Sequence, residues 1–322
     1  MNSSISSFRG LTACFLIAAA LTLAVIIGAC EWLVRAKVAP EDSMFKHIAL
    51  FNATSSPYAA FGDSHVARGF DAAAPVVNFG YHSENIEQMA WKADRYLQNT
   101  PQPKVVLLQA DPHLFSEYRL KEGLGSYPQL FSRGRFPVLL SLSDLYRPQL
   151  MALWRAFVGN RGRLMSDVEF TPQGALLSPG NLSIWGDRRL EAFITIRAAL
   201  HEPVAGFAQS EHAAAYERMV GQFLDAGATI CLVAFPIAPV YRDQVVSQDA
   251  ESEAAFERAM GFFQKFAASP NVHFVDHRTL YNDPSLYRDP DHLNKTGARL
   301  YGPVLQEACF GEEVVFSAAV VN

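Results

Sequence analysis

Hydrophobic positions along this chain fall into three regimes. Residues 11–34 are almost unbroken apolar, with Glu31 the one charge, near the end. From Tyr58 onward, and again from Leu190 to Ala308, short apolar runs alternate with stretches whose apolar residues recur at helical spacing. Between about Leu114 and Asp187 that regularity is lost. The short runs at 58–61, 76–79, 105–108, 229–235 and 272–275 are apolar or β-branched and bounded by Gly, Pro, Asn or Asp, which predicts strands. The periodic stretches at 84–97, 190–200, 212–225, 252–268 and 295–308 predict helices. Ser83 with Glu87 reads as the start signal of the first of these, and Asn294 as the cap of the last.

Strands alternating with helices imply βαβ units and a parallel sheet covered on both faces. The expected class is therefore α/β. The stretch 114–187 holds Gly123-Leu124-Gly125, several prolines, Trp154 and Trp185. A structureless loop of that length is uncommon in a compact domain. It is expected to be a partly helical insertion after the third strand, near the rim where a ligand binds. The chain divides into a tail (1–10), an apolar span (11–34), a linker (35–54) and an α/β domain (55–322). No internal repeat or low-complexity tract appears.

The apolar span is long enough to cross a bilayer core, which takes roughly 20 apolar residues. Three readings compete for it: an uncleaved signal-anchor, a cleaved secretory signal, and a lipoprotein signal suggested by Ile27-Gly28-Ala29-Cys30. The continued apolar Trp32-Leu33-Val34, and a length beyond the usual signal core, favour the anchor. Basic flanks are nearly balanced, Arg9 against Arg35 and Lys37. A long downstream domain translocates largely regardless of such charges, so the domain is expected on the extracytoplasmic side of a bacterial inner membrane.

The 322 residues are half apolar and carry a formal charge of −5, without a block of Lys and Arg. That argues against a nucleic-acid partner. The four cysteines, Cys14, Cys30, Cys231 and Cys309, show no C-x-x-C spacing. A disulfide framework or a zinc site is not expected. A Cys231–Cys309 bridge stays open beside the reading of both as small buried apolar residues. No His-x-x-x-His helix, Gly-rich dinucleotide loop or P-loop is present, so neither metal nor cofactor is expected.

Candidate chemistry lies in two places. Phe61-Gly62-Asp63-Ser64-His65 follows a small apolar run, the pattern of a strand ending and a helix beginning. A serine lifted there stands above the carboxyl end of a parallel sheet, where open α/β folds bind ligands. It needs a base to act as a nucleophile. Asp289-Pro290-Asp291-His292-Leu293-Asn294 supplies one: His292 as base, with Asp289 three residues earlier as orienting acid and Asp291 as the adjacent competitor. On a loop or first helical turn the three-residue spacing puts Asp289 and His292 on one face, whereas an adjacent side chain usually points elsewhere. Taken singly, each motif is also a common turn or helix cap. Their pairing and order make the signal. His65 and His82 lie near the site by sequence logic, with satisfied surface histidines as the plainer alternative. Tyr81, Trp91, Trp154 and Trp185 are possible sugar-stacking rings, though aromatics are more often core.

These two blocks resemble the first and last blocks of the SGNH, or GDSL-type, hydrolase superfamily. The resemblance covers roughly residues 55–310 apart from the insertion. It implies a flavodoxin-like three-layer α/β/α sandwich of about five parallel strands, with Ser64 as nucleophile, His292 as base and Asp289 as acid. It implies esterase, lipase or O-acyltransferase chemistry through an acyl-enzyme. In the second block, Asn78-Phe79-Gly80-Tyr81-His82-Ser83 is similar to an Asn-x-Gly-x-x-Gly pattern. Ser83 stands at the glycine whose N–H helps form the oxyanion hole, and Gly80 is the earlier glycine. The third block departs: Gln109-Ala110-Asp111-Pro112-His113 has no Asn, leaving the Gln109 amide or the His113 ring as substitute donors. With the apolar N-terminus, the set is similar to membrane-anchored SGNH-like proteins of cell-surface polymer O-acylation, such as the alginate O-acetylation and DltD-type D-alanyl transfer proteins. That implies an acyl donor, a glycan acceptor and a multi-pass membrane-bound O-acyltransferase as partner. Other readings are a secreted or anchored esterase of carbohydrate or lipid, and a catalytically degenerate scaffold or polymer-binding protein.

Full-length protein expressed in a bacterium is expected to stay in the membrane pellet after a carbonate wash, and deletion of residues 1–34 to release it. Recovery of the intact, full-length chain in the soluble fraction would overturn the anchor reading.

Overall fold

The computed structural model describes residues 3–33, 36, 42–125, 127–131 and 168–311. Half of the expected insertion, Trp154 included, lies outside the described residues. Residues 1–46 with 129–166 form one unit, and residues 47–128 with 167–322 form a second.

In the first unit, α1 (Ser3–Leu33) is one continuous helix. Its segment Leu11–Cys30 has a mean hydropathy of 2.6, none of it is buried within the protein, and it is long and apolar enough to cross a membrane. The linker expected at 35–54 contains a helix instead, α2 (Ser43–Ala53). Asp42 caps it, accepting from the Met44 and Phe45 N–H groups. Its C-terminal half belongs to the second unit. There Phe51 is buried edge-on against Phe79, with ring centroids 5.0 Å apart. Two apolar anchors one turn apart, Phe51 and the ring of His47, give this helix a reason to form.

The second unit is built on five parallel strands. They are β1 (Tyr58–Phe61), β2 (Val77–Asn78), β3 (Val105–Gln109), β6 (Thr229–Ala234) and β7 (Val272–Asp276), in the order β2-β1-β3-β6-β7. Counting only these strands along the chain, the order is 2-1-3-4-5, the flavodoxin-like order, whose switch point falls between the first and third strands. Helices α3 (Ser64–Gly69), α4 (Ile86–Asn99), α5 (Glu117–Leu120), α6 (Tyr127–Phe131), α7 (Asp187–His201), α8 (Glu211–Asp225), α9 (Ala250–Gln264) and α10 (Lys295–Phe310) complete the order, with two small hairpins. These are β4 (Glu169–Phe170) with β5 (Leu176–Leu177), and β8 (Tyr287–Asp289) with β9 (His292–Leu293).

Period-two alternation sends neighbouring residues of β1 to opposite faces of the sheet. Ala60 joins a cluster with Phe70, Val233, Phe235, Tyr301 and Leu305, under α10. Phe61 meets Phe79, Tyr96 and Phe223 on the other side, at 5.4–5.7 Å between ring centroids. α4 begins two residues later than the pattern predicts. Its cap is Asn85, which accepts from the Gln88 N–H while the Gln88 side chain accepts from the Asn85 N–H, a reciprocal capping box.

Cys231 and Cys309 are bonded to each other. The residues are 78 apart in sequence, so spacing alone could not pair them. The bridge ties the fourth strand of the sheet to the last turn of α10, inside the same apolar cluster. A cross-link over a loop of this length removes entropy from the unfolded chain. Cys231→Ala with Cys309→Ala is expected to lower stability by about 2–4 kcal/mol. Urea unfolding of the isolated domain, with and without reductant, measures this.

Candidate active site

Ser64 stands at the carboxyl end of β1, one of the strands flanking the switch point, and His292 reaches it from a hairpin outside the sheet. β1 ends at Phe61, and Gly62 turns the chain under close constraint. A Cβ at Gly62 would strike Val66 and lie 2.6 Å from Gln109 Oε1. Asp63 then caps α3, its Oδ1 accepting from the His65 N–H at 2.9 Å. Ser64, the first helical residue, is half-buried. The base comes from the β8–β9 hairpin, not from a loop or helical turn. Asp289 and His292 are paired across it, with Pro290-Asp291 at the tip. Asn294 closes the hairpin by donating to Gly180 and Ser285 carbonyls and capping α10. The Ala238 N–H donates to the Pro290 carbonyl and fixes the tip.

The result is a chain of contacts. His292 Nε2 lies 2.9 Å from Ser64 Oγ, and His292 Nδ1 lies 2.7 Å from Asp289 Oδ1. A carboxylate only accepts, so Nδ1 carries a proton and Nε2 of the neutral ring accepts from the serine hydroxyl. Burial depresses the His292 pKa, but Asp289 and Asp291 outweigh it and raise it to about 9. Burial beside a second acid pushes Asp289 up, while His292 and its other neighbours hold Asp291 well below the usual carboxylate range.

Two further acid–histidine pairs lie beneath. Asp63 is fully buried, and its Oδ2 accepts from His113 Nε2 at 2.9 Å and from the Arg119 guanidinium at 2.5 Å. Burial works against this carboxylate, yet His113 and Arg119 hold its pKa well below normal. His65 donates from Nδ1 to Asp111 Oδ2 at 2.8 Å. Burial opposes charge on His65, but Asp111 raises its pKa to about 10. His65 is buried rather than at the surface, and Asp111 stands at the cap position that opens the turn Pro112–Phe115. His82 is half-buried and, desolvated, falls to about 4.

The oxyanion candidates separate. Ser83 lines the cavity beside Ser64, and its φ of 58° lies in the left-handed region that favours glycine. The backbone of that glycine position is kept without the glycine. Gly80 does not serve: its N–H donates to Asn78 Oδ1, and its Cα faces Val66 and Ala67. Asn78 is buried and holds the end of α3, donating to the Val66 and Phe70 carbonyls at 2.8 Å. Gln109 is also committed. Its Oε1 accepts from the Asp63 N–H at 2.6 Å and its Nε2 donates to Asp111 at 2.8 Å. The ring of His113 lines the cavity, but its Nε2 is given to Asp63. Gln109 is fully buried and does not line the cavity, and His113 Nε2 is given to Asp63, so neither substitute donor read from the third block is presented beside Ser64.

A cavity of about 320 Å³ opens on Ser64, a volume that suits a small ligand or one sugar unit. Its wall includes Ser83, Arg68, Arg119, Arg197, Asp291 and His292. The arginines carry no motif: Arg119 lies 56 residues from Asp63 and Arg68 donates to Ser178 Oγ, 110 residues away. Two groups bring metal-ligand types together that linear spacing does not reveal, Asp63/His65/His113 and His65/Asp291/His292. In each a guanidinium already sits by the carboxylate, Arg119 on Asp63 and Arg197 3.4 Å from Asp291, which disfavours a second cation.

No family model matches the chain, and no curated protein matches it. Among solved structures, one from Streptococcus pneumonia, described as "a putative platelet activating factor", matches 90% of this chain and 98% of its own at 13% identity and a TM-score of 0.36.

Removing one partner of a buried pair leaves an uncompensated charge. Arg119→Ala is expected to destabilise the domain by about 3 kcal/mol or more. The double variant Arg119→Met with Asp63→Asn should recover part of that loss. Thermal unfolding of both variants checks this.

Proposed function

We propose that this chain is a membrane-anchored serine acyl enzyme of SGNH type, acting outside the cytoplasm as an O-acyltransferase on a cell-surface or exported polysaccharide. The observation that carries the reading is the continuous contact Ser64–His292–Asp289 at the switch point of the sheet. The neutral His292 takes the Ser64 proton as Oγ attacks the carbonyl of an acyl ester or thioester. The oxyanion forms against the N–H groups of Ser64 and Ser83. His292 then gives its proton to the leaving alkoxide or thiolate, and an acyl-Ser64 ester remains. A sugar hydroxyl, deprotonated by the same imidazole, completes the transfer, whereas water in its place would make the protein an esterase. Two observations support the extracytoplasmic location: the helix Leu11–Cys30 and the Cys231–Cys309 bond, since structural disulfides persist in oxidising compartments. In this reading a multi-pass membrane-bound O-acyltransferase is the partner that delivers acyl groups to Ser64.

A fluorophosphonate is expected to form an adduct on Ser64 of the intact protein, and Ser64→Ala to lose it together with at least about 10³-fold in acyl turnover. Because the base works only as neutral imidazole and its pKa is raised to about 9, kcat/KM should climb with pH and level off above that value. A wild-type chain without an adduct, or a flat profile between pH 7 and 10, would sink the serine reading. Mass analysis of products formed from an aryl acetate with and without an oligosaccharide separates transfer from hydrolysis.

A further inference from the structure

Asp291 is a buried carboxylate without a hydrogen bond to either oxygen among the described residues. Burying a charge in that state is costly unless cations surround it. Four nitrogens do. Asp291 Oδ1 lies 3.3 Å from His292 Nδ1. Asp291 Oδ2 lies 3.4 Å from Arg197 Nε, 3.9 Å from His65 Nε2 and 3.9 Å from His201 Nδ1. The hairpin puts Asp289 and Asp291 on the same side of His292, so one ring nitrogen faces two acids. The position adjacent to the base, which a linear reading sets aside, is brought back by the two-residue tip. Arg197 comes from α7, where its NH1 also contacts His201 Nε2 at 3.0 Å, and thus links that helix to the base.

We infer that Asp291 is a second acid of the general base: it stabilises the His292 imidazolium alongside Asp289, and Arg197 sets how strongly it does so. The inference rests on the serine reading for its catalytic use, but its electrostatic content does not. Each half-reaction passes through a His292 imidazolium, formed when Oγ or the acceptor hydroxyl gives up its proton. Two carboxylates at Nδ1 favour that cation, and Arg197 offsets one of them. Asp291 is therefore a positioning and electrostatic residue, while Asp289 keeps the direct hydrogen bond. The charged and titratable groups around the ring are Asp289, Asp291, Arg197, His65 and His82, with Arg288 3.3 Å from Asp289 Oδ2.

The test is an NMR titration of the His292 ring in the full-length protein, in detergent, for the wild type, Asp291→Asn and Arg197→Gln. Asp291→Asn removes a negative charge and should lower the His292 midpoint by about one pH unit or more. Arg197→Gln removes a positive charge and should raise it. kcat/KM of Asp291→Asn, compared on its own alkaline plateau, should fall about tenfold, with KM little changed. Shifts of opposite sign support the assignment, because a merely structural role would not order them by charge. An unmoved midpoint in Asp291→Asn, or shifts of the same sign in both variants, overturns it. Should Asp291→Asn fail to fold, the direction of the Arg197→Gln shift decides alone. The absence of a fluorophosphonate adduct on wild-type Ser64 would sink the serine reading instead, and the titration would still read the Asp291 pairing.

Discussion

Asp63 carries a negative charge into a place where water does not reach, and the layout of the site follows from satisfying it. Its carboxylate meets the His65 N–H, His113 and Arg119, and its own N–H is held by Gln109. Each partner has a structural cost. His113 requires the turn Pro112–Phe115 directly after β3. Arg119 requires the chain to double back over the site in α5, and Gln109 requires the end of β3 to stand level with the end of β1. Once those demands are met, the start of α3 has one orientation and Ser64 faces the cavity. A site that holds its serine in this way relies on fully paired polar groups, which are rigid when complete and weak when one member is missing.

The same logic explains why the Gln109 amide does not face the cavity. The Gln109 amide joins Asp63 to Asp111 and cannot turn outward without stranding both. In the proposed reaction the oxyanion donors are backbone groups, and the turn at Ser83 supplies one of them. The turn containing it is clamped from below. Lys92 pairs with Glu84 at 2.5 Å and donates to the Phe79 carbonyl, while Tyr127 donates to Glu84. A left-handed backbone at a non-glycine residue costs energy, and it persists only where its surroundings over-determine it.

The architecture was largely legible in the sequence. The strands at 58–61, 105–108 and 272–275 stand within a residue of their expected bounds because buried strands read as short apolar runs closed by turn residues. The meeting of Ser64, Asp289 and His292 was legible because the two blocks that hold them pair in a recognisable order and spacing. What was not legible depends on distance along the chain. Arg119 and Arg197 sit in or beside the stretch without periodicity and belong to no motif. Cys231 and Cys309 look like apolar core from either end, and at 8% exposure or less they are also that. Gln109 and His113 were assigned outward-facing duties because a side chain's type does not disclose which neighbour it will face. The helix at Ser43–Ala53 was missed because two anchors, His47 and Phe51, are too few to show as a period.

Ser64 and His292 are 228 residues apart, one near the start of the sheet and the other just ahead of α10. Contacts of such separation close late, after the intervening strands have docked. The Ser64–His292 contact therefore exists only in a chain that carries the β8–β9 hairpin, and a chain cut short before that hairpin holds Ser64 and its cavity without the imidazole.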